Sequence, residues 1–350
     1  MHTGIPIFKG GHIGVDIFFV LSGFLITSIL LKEYDRTGGI SLKNFYIRRV
    51  LRLAPALLIL LIILTLIILF TGFNQDRLNI KSVLITLFYS ANWARAMDLH
   101  DLGILGHTWS LSIEEQFYLI WPVLLGFLLK NITRKKLNFS IISLAIGAWL
   151  LRIILIIQRA PVERLYNGLD TRADALLTGC ILALFLSSGK INSYTPKKLL
   201  KYLSKSAIAA LAIFLCCLIS ISWRNLNMFL WVSVFIEVFS AMLILHVISS
   251  GRGIIKKLCA LKPLVWIGSI SYGLYLWHDP VYEVMRELGF SQASIALSGS
   301  FITLLITSIS YYIIERPILT LKERFAASHN LKRSKEKEDL LVTEEYSKKD

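Results

Sequence analysis

The chain has 350 residues, 55% hydrophobic and only 17% charged, with mean hydropathy +0.62 and a formal net charge of +15. A soluble domain carries about 25% charged residues, and the apolar residues here fall in blocks of roughly the 20 residues that cross a bilayer core. Composition therefore excludes an ordinary soluble domain and predicts an all-α, polytopic integral membrane helical bundle. The Lys and Arg surplus lies in loops between the blocks, the pattern of orientation by positive loops, so no nucleic-acid partner is expected.

Apolar blocks run at 13–31, 53–71, 111–129, 139–157, 173–188, 207–222, 228–249, 264–284 and 294–314. The segment 78–93, "LNIKSVLITLFYSANW", is short and interrupted by Lys81. The loop 32–52 carries Lys32, Arg36, Lys43, Arg48, Arg49 and Arg52, which places it in the cytoplasm. The basic loops after blocks 111–129, 173–188 and 228–249 share that side only if 78–93 does not cross. It is expected to be re-entrant or surface-bound. About nine spans follow, with the N-terminus outside, and such a count points to a missing first helix. The domain division is a membrane unit over 1–320 and a charged, disordered cytoplasmic tail over 321–350. Of Cys180, Cys216, Cys217 and Cys259 none forms a CxxC pair, so neither zinc nor a disulfide framework is indicated.

Ionisable residues inside a span cost about 2.5–3.5 kcal/mol each on insertion scales and call for a partner or a function. Asp16 opens the first block, in "GVDIFFVLSGFLI". Glu114 and Glu115 open the third, behind His107, Trp109 and Ser110 in "HTWSLSIEEQFYLIWP". Arg172 and Asp174 open the fifth in "LDTRADALLTG", and His278 and Asp279 close the eighth in "SYGLYLWHDPV". His2 precedes the first block. Such a set suits a polar cavity at one membrane depth. Structural ion pairs between Arg172 and either Asp174 or Glu114 are the plainer alternative. Glu237 and His246 read as polar packing residues of the bundle interior. In "FYIRRVLRLAP", Arg49 and Arg52 share a helical face at i and i+3. Two guanidiniums there could hold a phosphorylated ligand or lipid head groups.

These segments, with "YYIIERPIL", occur in an order that resembles the membrane-bound acyltransferase family 3, the O-acyltransferases of bacterial surface glycans. The likeness runs from about residue 2 to 320 and implies ten helices, the first mostly missing here, so that Met1 is expected to be an internal methionine. It implies a bacterial inner-membrane, multi-pass enzyme moving an acyl group, acetyl by preference, from acyl-CoA to a carbohydrate hydroxyl. The partners would be acyl-CoA, a carbohydrate acceptor and the lipid bilayer, with no permanently bound cofactor and no metal. It places a catalytic histidine at His2, acyl-CoA binding at Arg49 and Arg52, and further site positions at Trp109, Ser110, Glu114, Glu115, Arg172, Asp174, Tyr272 and His278.

The chemistry needs a base for the hydroxyl, donors for the oxyanion and alignment of two substrates. Histidine suits the base, and Glu114, Glu115 or Asp16 could orient it. No GxSxG elbow is present, which favours direct transfer over a covalent intermediate. A secondary transporter or flippase is the second reading, with the acidic residues carrying protons or substrate, although no inverted repeat is visible.

Overall fold

A computed structural model describes residues 11–71, 79–188, 225–249 and 254–320. Among these residues the fold is a helical bundle. The helices are α1 (Ile13–Thr37), α2 (Leu42–Thr71), α3 (Ile80–Leu87), α4 (Ala91–Ala96), α5 (Trp109–Asn131), α6 (Arg134–Ile157), α7 (Val162–Asn167) and α8 (Leu169–Ser187). They continue as α9 (Ser233–Ser249), α10 (Ile254–Cys259), α11 (Lys262–Ser269), α12 (Ser271–Glu287) and α13 (Gln292–Thr320).

Six helical stretches among the described residues are long and apolar enough to cross a membrane: α1, α2, α5 with its preceding turn, α6, α9 with its preceding turn, and α13. The protein is a multi-pass membrane protein. The expected block 207–222, the tail and His2 lie outside the described residues. The described residues of segment 78–93 form α3 and the start of α4, helices far too short to span, separated by Tyr89 at φ 51°.

One expected span, 264–284, is corrected by the structure. The chain breaks at Ile270 into α11 and α12. Ser269 and Ser271 turn their hydroxyls back onto the Trp266 and Gly268 carbonyls at 2.6 and 2.9 Å. Those side chains offer the backbone local alternatives to a continuous helical ladder.

The centre of the bundle is the crossing of α1 and α8, the most extensive contact in the fold. Association inside lipid depends on close packing and on interhelical hydrogen bonds, because lipid tails are as apolar as leucine. Both are present. Gly23 and Gly179 sit where a Cβ would overlap the Leu176 and Val20 carbonyls of the facing helix. Trp121 on α5 donates to Thr27 of α1 at 2.8 Å, and Thr27 donates to Cys180 of α8 at 3.1 Å. Outward residues such as Phe127, Phe139 and Phe301 remain exposed, as lipid-facing side chains should.

Candidate active site

Turn Gly103–Thr108 leads directly into α5 and sets His107 against α12, at the edge of a polar patch that α5 extends. Along α5, Ser110 and Glu114 lie at i and i+4 and so share a face, about 6 Å apart along the axis. Along α12, Tyr272, Tyr275 and His278 recur every three residues and form a matching stripe. Between these stripes, the start of α1 and the Arg49–Leu53 turn of α2 lies a cavity of about 470 Å³. Arg49, Arg52, Trp109, Ser110, Glu114, Tyr272 and His278 all line it. So do His12, Tyr166 and Tyr275, which were not picked out from sequence.

Glu114 is the glutamate that faces the cavity. Its Oε1 accepts from Ser22 at 2.7 Å and from Tyr118 at 2.5 Å, with Arg49 Nη2 3.2 Å away. Glu115, about 100° round the helix, accepts from Arg49 Nε and Nη2 at 3.1 and 2.9 Å. The Arg49 guanidinium also lies 3.6 Å from the Tyr118 ring centroid. Arg52, one turn on, is exposed at the cavity wall.

The Tyr275 hydroxyl donates to the His107 carbonyl at 2.7 Å. A phenol has one proton, so the 2.5 Å contact between Ser110 and Tyr275 must be a bond that Ser110 donates. The Ser110 proton is therefore directed to a phenol oxygen and not to a base. His278 Nδ1 lies 2.6 Å from the Tyr275 carbonyl. A carbonyl only accepts, so Nδ1 carries a proton and donates it there. Tyr272 donates to the Leu53 carbonyl at 3.3 Å and ties α12 to α2.

Asp16, Arg172 and Asp174 form a second, buried cluster off the cavity. Asp16 of α1 takes a hydrogen bond from Arg172 of α8, both essentially inaccessible. Asp174 instead meets Arg152 of α6 at 2.5 Å, and Arg152 also reaches the Thr171 carbonyl at 3.1 Å. The alternative pairings of Arg172 with Asp174 or Glu114 are thus corrected. Residues two apart on a helix point to nearly opposite sides. Arg152 was missed because it stands alone in an apolar run of α6, and only the crossing with α8 reveals its partner. Glu237 of α9 is buried beside this cluster, taking a long bond from Thr178 at 3.4 Å. The two clusters touch through Tyr166, 4.5 Å from the Trp109 ring and 5.5 Å from the Arg172 guanidinium. Among the described residues no group of His, Cys, Asp or Glu is arranged to hold a metal ion.

Residues 3–315 match the family model described as an acyltransferase domain. The chain belongs to this acyltransferase family. It is 34% identical over 332 residues to the peptidoglycan O-acetyltransferase OatA of Listeria monocytogenes, covering 91% of this chain and 53% of that protein. It is 33% identical over 336 residues to the O-acetyltransferase OatA of Staphylococcus aureus, covering 91% and 54%. The chain thus spans about half the length of these curated relatives. No solved structure matches it. Membership in a family of acyltransferases weighs against the transporter reading, which rested on many helices, buried charges and the lack of a proven nucleophile.

Proposed function

We propose that the protein is an O-acyltransferase that moves an acetyl group from acyl-CoA, on the cytoplasmic side, to a hydroxyl of a cell-wall glycan beyond the membrane. The observation that carries this is the cavity, which brings the Arg49 and Arg52 guanidiniums and the His278 imidazole into one wall. The relatives' names, peptidoglycan O-acetyltransferase and O-acetyltransferase, supply the acyl group and the acceptor class. The bilayer is that of the bacterial inner membrane, with the Arg49 end inside.

Arg52 takes the donor's phosphates, since its fork is exposed where Arg49 is engaged by two glutamates. Arg49 fixes Glu114 and Glu115 in place. Trp109 and Tyr166 form an aromatic wall on which a sugar ring can lie. His278 accepts a hydrogen bond from a neighbouring hydroxyl of the acceptor sugar and so orients the attacking one, whose proton stays available to the base. His2, the base implied by the family likeness, takes the proton as the hydroxyl oxygen attacks the thioester carbonyl. The carbon–sulfur bond breaks and the thiolate leaves with the donor. Ser110 is not the nucleophile, because its proton is held on Tyr275, whose own proton ends at a carbonyl. Transfer is direct.

The test is incubation of the purified full-length protein with acetyl-labelled acetyl-CoA and peptidoglycan strands. Label released from the glycan by mild base as acetate supports the reading. Label found stably on protein but never on glycan overturns it.

A further inference from the structure

Pro280 interrupts α12 from within. Having no N–H, it leaves the carbonyl of Leu276, four residues earlier, without its helical donor. An orphaned carbonyl inside a membrane is costly and seeks another donor. It finds one from outside the helix. His107, from the turn ahead of α5, lies with Nε2 3.2 Å from the Leu276 carbonyl oxygen. Since the carbonyl can only accept, Nε2–H of His107 donates.

The other His107 nitrogen faces the next break residue. Nδ1 stands 3.4 Å from Asp279 Oδ2 without an aligned hydrogen bond. The His107 ring also packs edge-on against Tyr275 and His278, with centroids 5.6 and 5.4 Å away. Its own backbone carbonyl takes the Tyr275 hydroxyl at 2.7 Å. His107 is 2% exposed and is not part of the cavity wall. From outside the cavity it therefore contacts Tyr275, Leu276, His278 and Asp279 of α12, two of which, Tyr275 and His278, line the cavity.

We propose that His107 is a positioning residue: by taking the Leu276 carbonyl that Pro280 frees, it fixes the kinked turn of α12 and with it the orientation of the His278 ring. This rests on the role proposed above for His278 at the acceptor hydroxyl. A site loosened by an ångström loses alignment of the attacking oxygen and leaves donor binding intact.

Two readouts test it, one of which needs no activity. In full-length protein labelled with ¹⁵N-histidine, the His278 signals, assigned by their loss in His278→Gln, should show a proton held on Nδ1. That signature should persist in His107→Gln, whose amide nitrogen reaches where Nε2 stood, and should be lost in His107→Ala. In kinetics with acetyl-CoA and peptidoglycan strands, His107→Ala should lower kcat/KM for the acceptor about tenfold or more and leave the KM for acetyl-CoA unchanged. His107→Gln should recover most of the loss. An unaltered His278 signature in His107→Ala, or a glutamine variant no better than alanine, overturns the proposal. Should His107→Ala fail to fold, Pro280→Ala serves instead. Its new N–H competes for the Leu276 carbonyl, so an unchanged His278 signature in that variant also overturns it. If the wild-type protein transfers no acetyl group, the proposed function fails while the tautomer measurement still decides this point.

Discussion

Arg49 and Glu115 form a two-donor ion pair between α2 and α5, the Nε and Nη2 of the guanidinium both bonding Oε1. With Glu114 Oε1 also 3.2 Å from Nη2 and the Tyr118 ring over its face, Arg49 is a structural cation. Arg52 shares its helical face but not its partners. Two arginines three residues apart thus divide into one that holds the protein and one that is offered to a ligand.

Replacing each by alanine should separate these roles. Arg52→Ala should raise the donor KM about tenfold, near the 1.5 kcal/mol of one hydrogen bond to a charged group, with the melting temperature unchanged. Arg49→Ala strands two glutamates in a half-buried site and should cost about 3 kcal/mol of stability, read as a lowered thermal midpoint in detergent. Equal effects of the two changes on donor KM and on melting would refute the division.

Glu114 and Glu115 should also part company. Glu114→Gln replaces an acceptor-only group that serves Ser22, Tyr118 and Arg49 at the cavity wall. The neutral amide weakens all three charge-assisted bonds, each about 1 kcal/mol or more. Acyl transfer should fall by an order of magnitude or more. Glu115→Gln keeps an acceptor for Arg49 and lies off the cavity, so kcat should stay within about threefold. Activity assays on the two single variants check this, and a larger loss for Glu115→Gln would reverse the assignment.

The buried cluster offers a prediction about stability. Asp16→Asn leaves the buried Arg172 facing a neutral amide, and removal of one partner of a buried pair typically costs about 3–5 kcal/mol. Asp174→Asn should do the same through Arg152. The effects should fall short of additive, because each buried pair lies in the field of the other: Arg152 and Asp174 act on Asp16, and Asp174 acts on Arg172. Thermal unfolding of the single and double variants measures it. Full additivity, with the double variant losing the sum of the two single losses, would mean that the two pairs act independently.

Much of the architecture was legible in the sequence because membrane helices advertise themselves by length and apolarity. The cavity residues were legible in part. Trp109, Ser110, Glu114, Tyr272 and His278 stood out as polar or aromatic groups at helix mouths, and they do meet around one cavity. Partner identity was not legible. The partner of Arg172 is set by the crossing of α1 on α8, and that of Asp174 by the crossing of α6 on α8, neither of which leaves a local spacing signal. The break at Ile270 was hidden for a different reason. Hydropathy sums over "KPLVWIGSISYGLYLW" without registering that two serines can cap a helix there. Nor does composition single out His107. Its significance comes from a proline 173 residues away (280 − 107) on another helix.

The α1–α8 crossing should be intolerant of even one methyl group. At Gly23 and Gly179 the added Cβ would strike backbone carbonyls, not flexible side-chain ends, so relief requires the helices to part. Overpacking of this kind costs about 1–3 kcal/mol or more. The parting would also move Ser22, which holds Glu114, and Asp16, which holds Arg172. Gly23→Ala and Gly179→Ala should therefore lower both the thermal midpoint and acyl transfer. Gly147 of α6 is the control, since nothing lies within 4 Å of the Cβ it would gain. There alanine should be neutral or should stabilise by up to about 1 kcal/mol through helix propensity. If all three variants behaved alike in detergent melting, the close approach of α1 and α8 would not be what limits stability.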